Sequence, residues 1–406
     1  MMKNKTIFLP VMIAVLLAVS CRPTPKQYQM GTFGYDKAFF EKHNIEYLEL
    51  KSSDGQSKLL VVPAWQGRVM TSSAGGDKGR SYGWINYSFI ESGEVDPQFN
   101  VFGGEERFWL GPEGGPFSIY FKEGDEQVFT NWVVPPVIDT EAYDYEILNE
   151  QTVKFSKKSN LINASGTRFQ LGIERTVSLL SRDKVASLLN VEVPEGLRVV
   201  AYETDNRITN LGDKEWTRED GLLSIWMLCM FNPSPETTVF IPFNPDAEGV
   251  IVNDDYFGNV PADRLIVDSN TVYFKIDGEY RSKIGIPPAR AKELCGSYDS
   301  GSKVLTLLWC SLPEEPMDYV NSKWGQQDDP YSGDAINSYN DGPVEDGSIM
   351  GPFYEIETSS PAAALQPSET MKHVERLMHF EGDEALLAKM VKSLFDLDLN
   401  DIANKF

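Results

Sequence analysis

Near its C-terminal end the chain reads GPFYEIETSSPAAAL from Gly351 to Leu365. It sets two carboxylates, Glu355 and Glu357, one residue apart in an otherwise strand-forming run. In an extended backbone Glu355, Glu357 and Ser359 project to one face, and Tyr354, Ile356 and Thr358 to the other. The two carboxylates then lie about 7 Å apart along the strand, from a rise near 3.4 Å per residue. Enclosed in a cleft, desolvation and like-charge repulsion raise the pKa of one and suit it to giving or taking a proton. Facing water, the same pair only keeps a sheet soluble.

Five further stretches mix aromatic, acidic and basic side chains more than a plain sandwich requires. GGEERFWLGPEGG, residues 103–115, carries Arg107, Trp109 and Glu113 between glycine pairs that let the backbone turn sharply or approach a ligand. RITNLG begins at Arg207, NDDYFG holds Asp255 and Tyr256 with Arg264 nearby, and YRSK ends at Lys283. The segment from Asn321 to Gly342 contributes Trp324 and Asn340. Flat rings beside Arg, Asn and Asp suit a sugar, whose C–H face stacks on an aromatic ring while its hydroxyls pair with polar groups. The competing reading is turn chemistry, since Asp-Gly and Asn-Gly pairs are turn formers first. Asp328, Asp329, Asp334 and Asp341 are hard oxygen donors that suit calcium, but NSYNDG lacks the EF-hand spacing and no metal site is assigned.

These residues need a frame, and strand signals supply it from about residue 45 to 380. Runs rich in Val, Ile, Phe, Tyr and Trp recur at 59–63, 117–121, 152–155, 169–180, 186–193, 197–204, 222–230, 238–241, 271–276 and 303–310. FQLGIERTVSLL alternates polar with apolar over most of its length, as an antiparallel strand with one wet face does. Many strands in succession predict packed antiparallel sheets, a large all-β sandwich over 45–382, with a split near residue 210 as the alternative. A helix is expected only at the end, over 383–406, where Asp383 is a plausible N-cap for Leu386, Leu387, Met390, Val391 and Leu394 at helical spacing.

Residues 1–20 read as a bacterial lipoprotein signal. Lys3 and Lys5 precede an apolar stretch, and Ala18-Val19-Ser20 stand immediately before Cys21, the expected lipid-bearing residue. The apolar run falls short of the roughly 20 residues that span a bilayer. Residues 21–44 are expected to be a tether. The expected location is the bacterial cell envelope at the outer membrane, with membrane contact only through the lipid. The net charge of −23 becomes about −25 once Lys3 and Lys5 are removed, and such a body repels nucleic acid. Cys229, Cys295 and Cys310 allow at most one disulfide and form no CxxC pair.

Three stretches in order resemble galactose-mutarotase-like proteins: QGRVMTSS from Gln66, RITNLGDKEW from Arg207 and YEIETSSPAAALQPSE from Tyr354. GGEERFWLGPEGG, DDYFG, RSKIG, NSYNDG and GPFYEIE are more narrowly similar to a family of exported bacterial lipoproteins within that superfamily. The resemblance implies a β-supersandwich with a sugar-sized cleft on its concave face. Epimerases of the superfamily use a Glu on the closing strand as base, an imidazole as acid and an Arg against the sugar oxygens. The Glu-Thr match carries the base onto Glu357, with Glu355 its competitor, and Arg107 is the candidate arginine. The only histidines are His43, His373 and His379, and none follows RITNLGD. The acid then falls to another group, Tyr256, Asp255 or Lys283, or the reaction is a hydrolysis or elimination, since hydrolysis can run on two carboxyls. The expected function is action on a sugar or oligosaccharide by carboxylate proton transfer, without a cofactor. The alternatives are a non-catalytic sugar-binding protein and a structural envelope protein.

Overall fold

The computed structural model describes residues 27–344 and 346–406, so the leader and Cys21 lie outside the described residues. Eighteen strands among them form three antiparallel sheets of ten, five and three strands. In the ten-stranded sheet the long strand Thr370–Glu381 runs between Val304–Cys310 and Arg198–Asn210. Arg168–Leu179 alternates buried and more exposed residues along its length, as its sequence predicts. The five-stranded sheet runs Ser282–Ile286, Ile336–Asn340, Tyr354–Ser359, Ser224–Phe231, Arg107–Gly111. Its strands are buried on both faces. One face meets the ten-stranded sheet, where Ile225, Met227, Cys229 and Ile356 join Ile208, Leu308 and Leu377 in the main core.

Two polar nodes cross that core. Thr358 Oγ1 lies 2.6 Å from Glu375 Oε2 and 2.8 Å from His373 Nε2. Cys229 Sγ donates to Glu375 Oε1 at 3.1 Å. Beside them Arg175 forms a fully buried ion pair with Glu106, which also accepts from Thr204 at 2.7 Å. Cys229, Cys295 and Cys310 are all buried free thiols.

The C-terminal helix forms as expected. Asp383 accepts from Ala385 N at 2.9 Å and Leu386 N at 3.3 Å, and the helix Glu384–Phe395 lays Leu387, Met390 and Val391 against Phe240, Leu305, Leu307 and Phe380. A second short helix, Leu399–Ala403, follows.

Three local expectations are corrected. Residues 186–193 are not a strand: Arg182–Leu189 is a helix, with Ser181 Oγ accepting from Lys184 N at 3.2 Å and Asn190 in the left-handed region at its end. Residues 117–121 form no strand; Tyr120 instead donates its hydroxyl to Leu110 O at 2.8 Å. Within 21–44, Phe33–Lys42 is a helix whose Phe33, Phe39 and Phe40 pack on Leu60, Val62, Met70 and Phe102. No helix among the described residues is long and apolar enough to cross a membrane.

Candidate functional site

Strand register gathers the charged residues on the face of the five-stranded sheet turned away from the core. Glu357 lies opposite Asn337 on one neighbour and Leu228 on the other, and Leu228 lies opposite Arg107. Glu355 lies opposite Tyr339 and Met230, and Tyr339 opposite Lys283. Because directly paired residues share a face, Arg107, Glu355, Glu357 and Lys283 all project the same way. Glu357 Oε2 accepts from Lys283 Nζ at 2.7 Å and from the Trp226 indole N–H at 2.9 Å. Glu355 Oε1 accepts from Arg107 Nη2 at 3.1 Å. The Arg107 guanidinium lies 4.2 Å from the ring centre of Trp109 and 5.5 Å from that of Phe99.

Five buried polar atoms of this cluster have no hydrogen-bond partner: Glu357 Oε1, Arg107 Nε and Nη1, and the indole nitrogens of Trp109 and Trp132. An unsatisfied buried group costs about 1–3 kcal/mol, so these five atoms are open to a polar partner.

A second tier closes around Lys283. Tyr256 donates its hydroxyl to Asp334 and accepts from Asn337 Nδ2 at 3.1 Å, while Asn253 Nδ2 donates to Asp334 Oδ1 at 2.8 Å. Gly285, opposite Asn337, makes room for that carboxylate: a Cβ there would stand 1.9 Å from Asp334 Oδ2. From the opposite edge, the Glu113 backbone N–H donates to Ser322 Oγ at 3.2 Å, and Gly114 packs on the Lys323 carbonyl. Lys323 in turn pairs with Asp255 and lies 5.3 Å from the Tyr256 ring centre. The segment from Asn321 to Trp324 thus arches across the cluster from Glu113 to Tyr256.

Electrostatics separates the carboxyls. Burial, only partly offset by Arg107 and reinforced by Glu357, pushes Glu355 up to about 7. Burial also raises Glu113 to about 7, against the pull of Lys283. Asp334 rises to about 6 for the same first reason, opposed by Tyr256 and Asn253. For Lys283 burial works downward, but the carboxylates of Glu357 and Glu113 outweigh it and its pKa is raised. The cluster therefore combines a carboxylate held by a cation with carboxyls that keep a proton near neutrality.

Of the residues singled out by sequence, Glu357, Glu355, Arg107, Trp109, Glu113, Tyr256, Lys283 and Trp324 come together here, with Asp255 exposed at the rim. Two do not. Arg207 sits on the outer part of the ten-stranded sheet, forked onto Asp205 at 2.7 and 3.0 Å. Asn340 is buried and holds a turn, accepting from Gly278 N at 2.9 Å and donating to Tyr280 O at 2.9 Å. Neither strand histidine reaches Glu357: His373 faces Thr358, on the other side of the closing strand, and burial lowers its pKa to about 4. His379 lies 3.1 Å from Glu105 and 2.9 Å from Thr306. Of the aspartates considered for calcium, Asp334 is taken by Tyr256 and Asn253, Asp329 accepts from Tyr331 N at 2.9 Å, and Asp341 accepts from Tyr339 Oη at 2.8 Å and Gly351 N at 2.9 Å. Among the described residues no three acidic, imidazole or thiol groups converge on one point. A cavity of about 930 Å³ lies elsewhere, beside Tyr28, Lys58 and Asp77. Its Tyr28 and Lys58 already bond Asp77.

Sequence reasoning missed Trp226, Trp132, Asn337 and the site role of Asp334. Trp226 stands in SIWMLCMF, a run whose composition is that of core. Only its register beside Ser359 and Trp109 turns its N–H toward Glu357.

Comparison with known proteins gives a family and a fold. A family profile described as "Family of unknown function (DUF6786)" matches residues 31–406. No curated protein sequence matches the chain. The solved structure of the Slr1438 protein from Synechocystis sp. PCC 6803 is similar with a TM-score of 0.52 at 12% identity, covering 83% of this chain and 96% of its own. That of an Escherichia coli K12 protein called a "putative aldose 1-epimerase" is similar with a TM-score of 0.50 at 10% identity, covering 83% and 99%. The architecture is the galactose mutarotase-like β-supersandwich.

Proposed function

The chain belongs to the family of unknown function DUF6786, and from its supersandwich and the cluster on its five-stranded sheet we propose that it acts on a sugar by carboxylate-based proton transfer. The observation that carries this reading is the set of five unpartnered polar atoms among the rings of Trp109, Trp132 and Trp226. A sugar offers what that set lacks: hydroxyls that accept from Arg107 and the indole N–H groups, a hydroxyl that donates to Glu357 Oε1, and a C–H face for the rings.

In this reading Glu357 is the proton acceptor, because Oε2 is occupied by Lys283 and Trp226 while Oε1 is free. The proton donor is Glu113 or Glu355, each raised to about 7. Tyr256 is a poor acid, since burial and then Asp334 push its pKa well upward. An acceptor and a donor carboxyl serve acid–base chemistry at a sugar C–O bond, in ring-opening epimerisation or in glycoside cleavage. Residues 1–21 support export and lipid attachment, so we place this chemistry at the cell envelope with the chain anchored through Cys21.

A non-catalytic sugar-binding role is the second reading. It is favoured by Lys283, whose ammonium already occupies Glu357 Oε2 at 2.7 Å. One comparison separates the two: turnover and binding of a sugar panel by the native protein and by Glu357→Gln. Loss of turnover by roughly 10²–10⁴-fold with binding retained supports the enzyme. Binding without turnover by the native protein supports the second reading, and absence of both removes the sugar altogether.

A further inference from the structure

We infer that the ligand is an oligosaccharide chain held on both sides of the carboxyl cluster, not a single sugar; this rests on the sugar reading above. Aromatic side chains are seldom left in water, and among the described residues six are substantially exposed: Phe129, Tyr145, Phe257, Tyr280, Trp324 and Phe406. Three of the six, Phe129, Phe257 and Trp324, border this one site, which single scattered surface rings would not do.

They form two rims. On the Arg107 side the buried Trp132 ring continues outward in nearly parallel planes to Phe129, at 6.0 Å and 19°, and to Trp324, at 6.2 Å and 27°. Phe129 is 58% exposed and Trp324 37%. On the Lys283 side Phe257, 48% exposed, stands edge-on to Tyr339 at 5.9 Å, with the Arg281 guanidinium 4.1 Å from its ring centre.

The rims are anchored on different strands of the five-stranded sheet, Phe257 on Tyr339 of Ile336–Asn340 and Trp132 on Trp109 of Arg107–Gly111, three inter-strand spacings apart, or roughly 14 Å. One pyranose ring seated over Glu357 touches at most one of them. A linear chain crossing the strands touches both, with its middle over Glu355, Glu357 and Arg107. The rings are separated by Lys323, Asp255 and Arg281 and do not merge into the continuous apolar patch that a protein partner buries. Flat faces alternating with hydrogen-bonding groups match a chain of sugar rings.

The test is calorimetric binding of cello-, xylo-, manno-, laminari- and chito-oligosaccharide ladders, from one to six units, to the native protein and to Phe257→Ala, Trp324→Ala and Phe129→Ala. In the ladder that binds, affinity is expected to rise at least tenfold from monomer to tetramer. Phe257→Ala and Phe129→Ala should each lose roughly tenfold for the tetramer while monomer binding is unchanged, and Trp324→Ala, beside Glu113, should weaken both. Phe129→Ala guards against misfolding, because its ring is the most exposed of the three; melting curves confirm the fold of each. Affinity already maximal for the monomer, or tetramer binding indifferent to all three variants, overturns the inference and leaves the sugar reading standing. Failure of every ladder and every monomer to bind overturns both.

Discussion

The two oxygens of Glu357 are chemically unequal, since the Lys283 ammonium holds one at 2.7 Å and the other has no partner. Lys283→Met leaves that first oxygen with the Trp226 N–H alone, at 2.9 Å, and strands a buried charge without its counter-ion. In the profile of kcat/KM against pH the variant is expected to lie roughly tenfold or more below the native protein throughout. The alkaline limb belongs to the donor. With Glu113 and Glu355 each near 7, activity should fall as pH rises through that value, because the donating proton is lost. Glu113→Gln and Glu355→Gln decide between them: the variant whose rate collapses and loses the limb marks the donor, and an unchanged limb in both excludes the pair. At this scale sequence was informative where a charge stood in an apolar strand, as at Arg107, Glu355, Glu357 and Lys283. It was silent on Trp226 and Trp132, because a buried Trp looks the same in sequence whether its N–H meets core or ligand. Arg207 misled for the converse reason: its motif resembled the superfamily's, but strand parity turned the side chain outward onto Asp205.

The closing strand Tyr354–Ser359 works on both faces. One presents Glu355 and Glu357; the other sets the Thr358 hydroxyl between Glu375 and His373. One hydroxyl hydrogen cannot serve two acceptors, so a proton from a neighbour must complete the chain. Burial and Glu106 raise Glu375 to about 8, and burial holds His373 near 4. Thr358 donates to Glu375, and the neutral His373 ring, whose Nδ1 has no partner, completes the chain by donating from Nε2. Thr358→Val keeps the shape and removes the link, and should cost about 1–3 kcal/mol in urea unfolding, with Thr358→Ser recovering most of it. Equal stability of the Val and Ser variants would show that the node adds nothing. Sequence alternation located this strand but not its partners, which lie on the strand Thr370–Glu381 beneath it. Arg182–Leu189 was mistaken for a strand because VASLLNV is rich in apolar residues over a short span. Its real signals were the caps at Ser181 and Asn190, and short helices depend on caps more than on composition.

Across the whole molecule, between about pH 4 and 8, raised carboxyls outnumber the groups that oppose them. Glu375 near 8, Glu355 and Glu113 near 7, and Asp334 and Asp36 near 6 all bind protons more tightly folded than unfolded. Stability should therefore fall as pH rises from about 4 toward 8. His373 acts the other way between 6.5 and 4, as one group against five. Ion-paired Glu49, Asp77, Asp205 and Asp277, lowered where their partners outweigh burial, lose their contribution only below their ordinary range. The melting temperature is thus expected to peak near pH 4 and drop by roughly a few degrees by pH 8; a flat or rising curve over that interval refutes the assignment. The sandwich class was readable because antiparallel strands alternate, and the helix Phe33–Lys42 was not, because its phenylalanines find their partners only in the three-stranded sheet and the loops beside it.

The three thiols have one more consequence. Cys229, Cys295 and Cys310 are buried and unbonded, and burial first of all pushes each thiol's pKa upward, away from the reactive thiolate. The described body therefore owes nothing to an oxidising compartment. It should reach the same fold in a reducing cytosol as outside the cell, and its melting curve should not shift when dithiothreitol is added. Taken with the export proposed above, this separates where the chain works from where it is able to fold.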